Sequence, residues 1–181
     1  AHYLDEGKRL DLARRFVRGA LLNLVAVVKY YLRRGKPLES VLERIEEQLD
    51  RLDQQRSTEQ LMQVEGQARE AYYEGFDVIL GHPDFEFERR TRRPPQNRLN
   101  ALLSFGNSLM YGAALSQIYQ THLDPRIGFL HATNFRRFTL NLDIAEIFKP
   151  ILVDRTIITL IQRQQLRAKD FAEAMGGLYL K

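Results

Sequence analysis

Apolar residues recur at helical spacing along most of the chain. Leu10, Ala13, Val17, Ala20, Leu24, Val28 and Tyr31 fall three or four apart and mark one face of a long first helix, stopped by Gly35 and Pro37. Leu38, Val41, Leu42, Ile45, Leu49 and Leu52 mark a second helix, and the short connection between the two predicts antiparallel neighbours. A third starts at Ser57 or Thr58, where a hydroxyl can cap it and Gln60 can complete a capping box; Gly81 and Pro83 end it. An irregular Arg-rich stretch, 82–95, closes with Pro94-Pro95. A fourth helix is expected from Asn97 to His122. Its small residues Ser104, Gly106, Ser108, Gly112, Ala113 and Ala114 would let neighbours approach, which makes it the expected central helix. After Asp124-Pro125 come a short extended piece, 127–131, and a last helical segment, 139–165, that Pro150 should kink or break. With no repeat and no run of alternating strands, the pattern predicts an all-α fold: one multi-helix domain over residues 1–181.

Length and composition narrow the chemistry. The 181 residues suffice for one domain with a core. The absence of cysteine excludes a disulfide framework, a thiolate zinc site and a thiol nucleophile, and accords with a reducing cytoplasmic setting. The longest apolar stretch, 20–28, is interrupted by Asn23 and is too short to span a bilayer. The chain begins at Ala1 inside a helical pattern and stops after the strand-like segment 176–180, so it is expected to be cut from a longer protein at both ends. Lys and Arg total 27 against 23 Asp and Glu, a formal charge of +4. That mild excess is compatible with a polyanionic partner without requiring one.

Three features carry candidate chemistry. Glu65 falls into the apolar stripe of the third helix, with Leu61, Ala68, Tyr72, Phe76 and Ile79, so it points at the core or at a cleft on its edge. A carboxylate there needs a metal or a partner; water or an Arg at the stripe's edge would also serve. Asp143 and Glu146 are three apart on a segment otherwise largely apolar. A divalent cation would relieve their repulsion, as would a solvated acidic edge neutralised by Arg136, Arg137 or Lys149. His131 closes the apolar stretch Gly128-Phe129-Leu130. Alone it is as suited to a structural hydrogen bond as to a ligand, but two carboxylates and an imidazole together suit Mn²⁺, or Mg²⁺ with water completing its shell. The Arg89, Arg90, Arg92, Arg93 and Arg98 run abuts the fourth helix's N-terminus, where Arg forks and the helix dipole could hold phosphate; a solvated loop paired with Glu86 and Glu88 is the other reading.

At these residues the sequence resembles the CRISPR-associated integrase-nuclease, the Cas-one family. The segments that carry the resemblance are Arg92-Arg93-Pro94-Pro95, Asn100 to Gly106, Leu109-Met110-Tyr111-Gly112, Leu123-Asp124-Pro125, Ile127 to His131, Leu142 to Pro150 and Val153-Asp154. Ala13 to Gly19 and Glu65-Gly66-Gln67-Ala68-Arg69 fit it too. Each piece is weak alone; their order and spacing are specific, and they span almost the whole chain. The resemblance implies that Glu65, His131 and Glu146 are catalytic metal ligands, that Asp143 supports them, and that Tyr111 and Lys149 lie near DNA; Arg92 and Arg93, from the Arg run, are the further residues expected at DNA. It implies Mn²⁺ or Mg²⁺ as cofactor. DNA (spacer precursor, CRISPR repeat or branched) is the implied substrate, with a homodimer in the intact protein and the small second adaptation protein, Cas-two, as partners.

The activity so implied is metal-dependent endonuclease and transesterase chemistry. A 3′-hydroxyl of a short DNA attacks a phosphodiester of the CRISPR array, and water in its place gives nuclease activity. The family's N-terminal β-rich domain and basic C-terminal tail have no counterpart in this chain. Two other classes remain open on the sequence: a catalytically inactive helical DNA-binding module, which metal binding and strand transfer would distinguish, and a protein-binding scaffold, which a salt-dependent DNA affinity would exclude.

Overall fold

The structure is a computed structural model that describes residues 4–131 and 137–181. Its helices are α1 (Glu6–Leu32), α2 (Glu39–Arg51), α3 (Thr58–Leu80), α4 (Arg98–Ile118), α5 (Leu140–Lys149) and α6 (Arg155–Gln162), and a π turn, Pro150–Asp154, joins the last two. One antiparallel hairpin, β1 (Phe171–Ala174) and β2 (Gly177–Leu180), pairs Phe171 with Leu180 and Ala174 with Gly177. The fold is therefore all-α with a small terminal hairpin. No helix among the described residues is long and apolar enough to cross a membrane.

Most of the expected helical faces are the buried ones. Ala13, Val17, Leu24, Val28 and Tyr31 of α1 share one buried core with Leu61, Ala68, Tyr72, Phe76 and Ile79 of α3 and with Leu38, Val41, Ile45 and Leu52, and Ala20 is buried as well. Capping follows local chemistry: Asp5 accepts from Lys8 N, Ser57 from Gln60 N and Asn97 from Asn100 N. The Gln60 side chain accepts from Arg56 N at 2.7 Å, so it closes the box one residue upstream of the cap. Gly81 ends α3 in the left-handed conformation that glycine adopts without cost.

Four expectations change. The central helix is α1, which touches α2, α3, α5 and the π turn; α4 lies on α5, the π turn and β2. The small residues of α4 do not form one packing face, because Ser108, Gly112 and Ala113 are exposed. Gly106 alone is needed for close approach, since a Cβ there would lie 2.6 Å from Val153 Cγ1. Residues 127 and 128 have no regular structure and 129–131 form bends, so the expected extended piece is not a strand, and α4 ends at Ile118 rather than near His122. Finally, the last segment does not break at Pro150. Its helical winding loosens into the π turn and resumes, so α5 and α6 stay continuous.

That proline shapes the site. Having no N–H, Pro150 cannot bond the Glu146 carbonyl four residues back. Arg69 Nη2 donates to that carbonyl instead, at 3.2 Å, and Asn23 Nδ2 takes the next one, Ile147 O, at 2.7 Å. The break in the ladder thus fixes an α3 arginine and an α1 asparagine onto the end of α5.

Candidate metal centre

Glu65 and Glu146 come from different helices and meet at one guanidinium. Arg69, one turn after Glu65 on α3, donates Nε to Glu65 and forms an ion pair through Nη2 with the Glu146 carboxylate. Lys149, one turn after Glu146, bonds the other Glu146 oxygen, and its Nζ donates to the Tyr111 hydroxyl at 2.6 Å. Tyr111 in turn donates to Glu146 Oε1 at 3.3 Å. Burial would raise the Glu146 pKa; Arg69, Lys149 and His131 overcome it and hold the carboxyl well below its usual range. Burial pulls Lys149 below the ordinary lysine value while Glu146 opposes that, and burial followed by Glu146 pushes the Tyr111 phenol up.

Asp143 is solved differently. It is fully buried and accepts the backbone N–H groups of Phe129 (2.6 Å), Leu130 (3.1 Å) and His131 (3.1 Å), together with His131 Nδ1 at 2.7 Å. The loop reaches it because Gly128 lies against Thr139, where a Cβ would come within 2.8 Å of Oγ1. A carboxylate only accepts, so Nδ1 donates to Asp143 and Nε2 is the ring nitrogen left to face a ligand. Asp143 and Glu146 therefore do not share a cation: backbone amides and His131 satisfy one, and Arg69 and Lys149 the other. Of the three basic residues weighed for that role, Lys149 pairs with Glu146 alone, Arg137 is exposed with its guanidinium over the Phe138 ring, and Arg136 lies outside the described residues.

The expected ligands are thus gathered in part. Glu65 and Glu146 converge on Arg69, and His131 stands near enough for its charge to act on Glu146. Among the described residues no three His, Asp or Glu side chains close round one point at ligating distance. The donor set nevertheless fits a hard divalent cation: two oxygen ligands already face one positive charge, and an imidazole is oriented by a carboxylate. The Glu65 and His131 side chains keep 14% and 22% of their surface, so the cluster opens to solvent at their edge.

The residues expected at DNA divide. Arg92 and Arg93 are exposed and enter no ion pair among the described residues. Arg90 is spent on Asn100 Oδ1 (2.9 Å) and Ser104 Oγ (3.2 Å), and Arg98 on Asp84 O (3.0 Å), so these two hold the loop to α4. Lys149 is buried against Glu146, which places it and Tyr111 in the carboxylate cluster rather than on a basic surface.

Sequence reasoning assigned no role to Arg69 or Asp154. Arg69 was findable as the opposite charge four residues after Glu65. Asp154 lies in the π turn, fully buried, and neither carboxylate oxygen completes a hydrogen bond. The Tyr72 hydroxyl approaches it, near enough to favour the charged form but short of bonding geometry. Burial raises its pKa to about 7, against the opposing charges of Arg69 and Lys149, with Glu146 adding to the rise. A carboxyl raised in the folded state stabilises the fold below its unfolded pKa, and that stability is lost as pH climbs through the folded value. The stability of the wild-type protein relative to Asp154→Asn is thus expected to fall by about 4 kcal/mol between roughly pH 4 and pH 8, read by urea denaturation across that range. A difference that is flat with pH would refute the assignment.

Comparison with known proteins identifies the chain. The family model for CRISPR associated protein Cas1 matches residues 1–181. A CRISPR-associated endonuclease Cas1 of Thermodesulfovibrio yellowstonii is 53% identical over 179 residues, covering 99% of this chain and 54% of that protein. One from Thermotoga maritima is 47% identical over 179 residues, with the same coverage. The solved structure of a Thermotoga maritima Cas1 protein superposes with a TM-score of 0.88 at 46% identity, covering 99% of this chain and 55% of that one. A casposase bound to its integration product superposes with a TM-score of 0.89 at 26% identity, covering 99% of this chain and 53% of that one. The chain spans about half the length of these relatives. With its helical architecture and a family match along all 181 residues, the chain belongs to the CRISPR associated protein Cas1 family.

Proposed function

We propose that this chain supplies the catalytic domain of a divalent-metal-dependent DNA endonuclease and integrase, which inserts new DNA into a CRISPR array by 3′-hydroxyl attack on a phosphodiester. The observation that carries the reading is the meeting of Glu65 and Glu146 on a single cation at the open edge of the core, with the His131 ring fixed beside them by Asp143. Glu65, Glu146 and His131 Nε2 would hold Mn²⁺ or Mg²⁺, whose charge would polarise the phosphoryl group and lower the barrier to attack by a hydroxyl or water. Asp143 fixes the imidazole tautomer and its direction. Lys149 and Tyr111 orient the Glu146 carboxylate, and the buried ammonium offsets negative charge gathering at the phosphorus.

DNA has an adjacent surface. Arg92, Arg93, Phe105, Ser108, Tyr179 and Lys181 line a cleft of about 620 Å³ between the Arg loop, α4 and the hairpin. The hairpin lies directly on the loop: Leu178 N donates to Pro95 O at 2.9 Å, and a Cβ at Gly177 would come 2.5 Å from Pro94 Cβ. Guanidinium groups beside exposed aromatic rings suit a phosphate backbone with unstacked bases. The likeness to a casposase bound to its integration product supports DNA as the partner of this surface. The fold is also shared with a chain of a Cas6-RT-Cas1–Cas2 complex, at a TM-score of 0.87. A Cas2 protein as second partner and a homodimer of the intact protein belong to the same proposal.

Arg92→Ala with Arg93→Ala is expected to weaken DNA binding about tenfold and to lower the slope of log affinity against log salt by about 0.9 for each phosphate no longer neutralised. Melting should stay unchanged, because both side chains are exposed. An unchanged affinity and salt slope would remove this cleft from the DNA path. Mn²⁺-dependent nicking of branched DNA by the intact protein tests the function itself. DNA binding without any nicking would favour the inactive DNA-binding module.

A further inference from the structure

Arg69 uses two of its three nitrogens, and the buried carboxyl whose charge it acts on is left unpartnered. Its Nε and Nη2 hold Glu65, the Glu146 carboxylate and the Glu146 carbonyl. Its remaining nitrogen, Nη1, is buried with no acceptor. Asp154, in the π turn, is also buried, with two oxygens that lack a donor, and Arg69 is the positive charge that acts on it most strongly. Tyr72, whose hydroxyl likewise has no partner, lies one turn beyond Arg69 on the same face of α3 and approaches the same carboxylate. A buried donor without an acceptor and a buried carboxylate without donors, each acting on the other's charge, are expensive to keep unless another state of the protein joins them.

Resting on the reading of Glu65, His131 and Glu146 as metal ligands, we propose that Arg69 is a resident stand-in for the metal and Asp154 is its second seat. Without metal, the guanidinium neutralises Glu65 and Glu146 and keeps two like charges from different helices together. With a divalent cation held by those carboxylates, their charge would no longer need Arg69, whose guanidinium would keep its bond to the Glu146 carbonyl and turn towards Asp154. That carbonyl serves as the pivot because it already accepts from Arg69 Nη2 and Pro150, having no N–H, does not compete for it. The site is then pre-assembled in both states, and the cation that leaves it stays inside the protein with its charge matched. Asp154 is a positioning residue in this scheme: it touches neither metal nor DNA, and it sets how readily Arg69 gives way.

The test is a Mn²⁺ titration of the intact protein by calorimetry, with Mn²⁺ alone as the probe, beside the same titration of Asp154→Asn. The expected result is an affinity about tenfold weaker in Asp154→Asn, equivalent to about 1.4 kcal/mol. The effect should shrink below about twofold when Asp154→Asn is made in an Arg69→Gln background, because the competitor is gone. Should Arg69→Gln fail to fold, the ¹⁵N–¹H signal of Arg69 Nε in the wild-type protein serves instead: it should move when Mg²⁺ is added, and move less in Asp154→Asn. A purely structural Asp154 would change melting and leave metal affinity alone. Equal affinity in wild type and Asp154→Asn, or an Arg69 signal indifferent to Mg²⁺, overturns the second seat and leaves the metal site standing. Failure of the wild-type protein to bind Mn²⁺ at all overturns both.

Discussion

Asp143→Ala is expected to lower stability by about 3–5 kcal/mol, the range for breaking a buried charged hydrogen-bond network. One carboxylate satisfies three consecutive backbone amides and an imidazole, and all four donors lose their acceptor together. No water can reach the buried amide of Leu130 to replace it without opening the loop. The His131 ring then loses both its tautomer and its direction, so metal affinity should fall with stability. Asp143→Asn is the controlled comparison. Its amide oxygen can still accept from the backbone, but its nitrogen faces donors, so a smaller loss of stability is expected. Chemical denaturation reads both. A cost below about 1 kcal/mol for Asp143→Ala would mean that the loop is held elsewhere.

Glu146→Ala should abolish nuclease and strand-transfer activity, a loss of at least about a hundredfold if the carboxylate holds the catalytic cation. It should also carry a structural cost, which a purely catalytic residue would not. Arg69 and Lys149 would be left buried with Glu65 as their nearest remaining acidic partner in the cluster, and an uncompensated buried charge of this kind costs about 3–5 kcal/mol. DNA affinity should change little, since the exposed arginines are separate from the cluster. Activity must therefore be assayed where denaturation curves show the variant folded. Nicking of branched DNA near the wild-type rate by folded Glu146→Ala would refute the site. Loss of activity with stability unchanged would refute the ion-pair account of Arg69 and Lys149.

Much of the fold is legible from periodicity, because each helix buries a stripe. The faces of α1 and α3 named from spacing are almost wholly sequestered, and the caps at Ser57 and Asn97 sit where hydroxyl and amide chemistry place them. The central position of α1 is not legible from small residues on α4. Centrality depends on which helices find a complementary face, and α4 leaves Phe105 and Leu109 exposed. The continuity of α5 and α6 through Pro150 is hidden for a related reason: the carbonyls of Glu146 and Ile147 are taken up by Arg69 and Asn23, which are distant in sequence.

At the site, spacing correctly brings Glu65 to the edge of the core and Asp143 and Glu146 into it. It does not show how their charges are met. Repulsion between Asp143 and Glu146 suggested a shared cation, yet the loop amides of 129–131 satisfy one and side chains of α3 and α5 the other. An i,i+4 pairing of Glu65 with Arg69 is visible in the sequence. That the same arginine also reaches Glu146 is a tertiary fact.

The most direct measurement is anomalous diffraction from crystals of the intact protein soaked with Mn²⁺. The expected result is a single strong peak within about 2.0–2.6 Å of a Glu65 oxygen, a Glu146 oxygen and His131 Nε2, with the Arg69 guanidinium displaced from between the two carboxylates. Absence of a peak at saturating Mn²⁺, with Arg69 still bridging Glu65 and Glu146, would contradict the metal centre on which the proposed function depends.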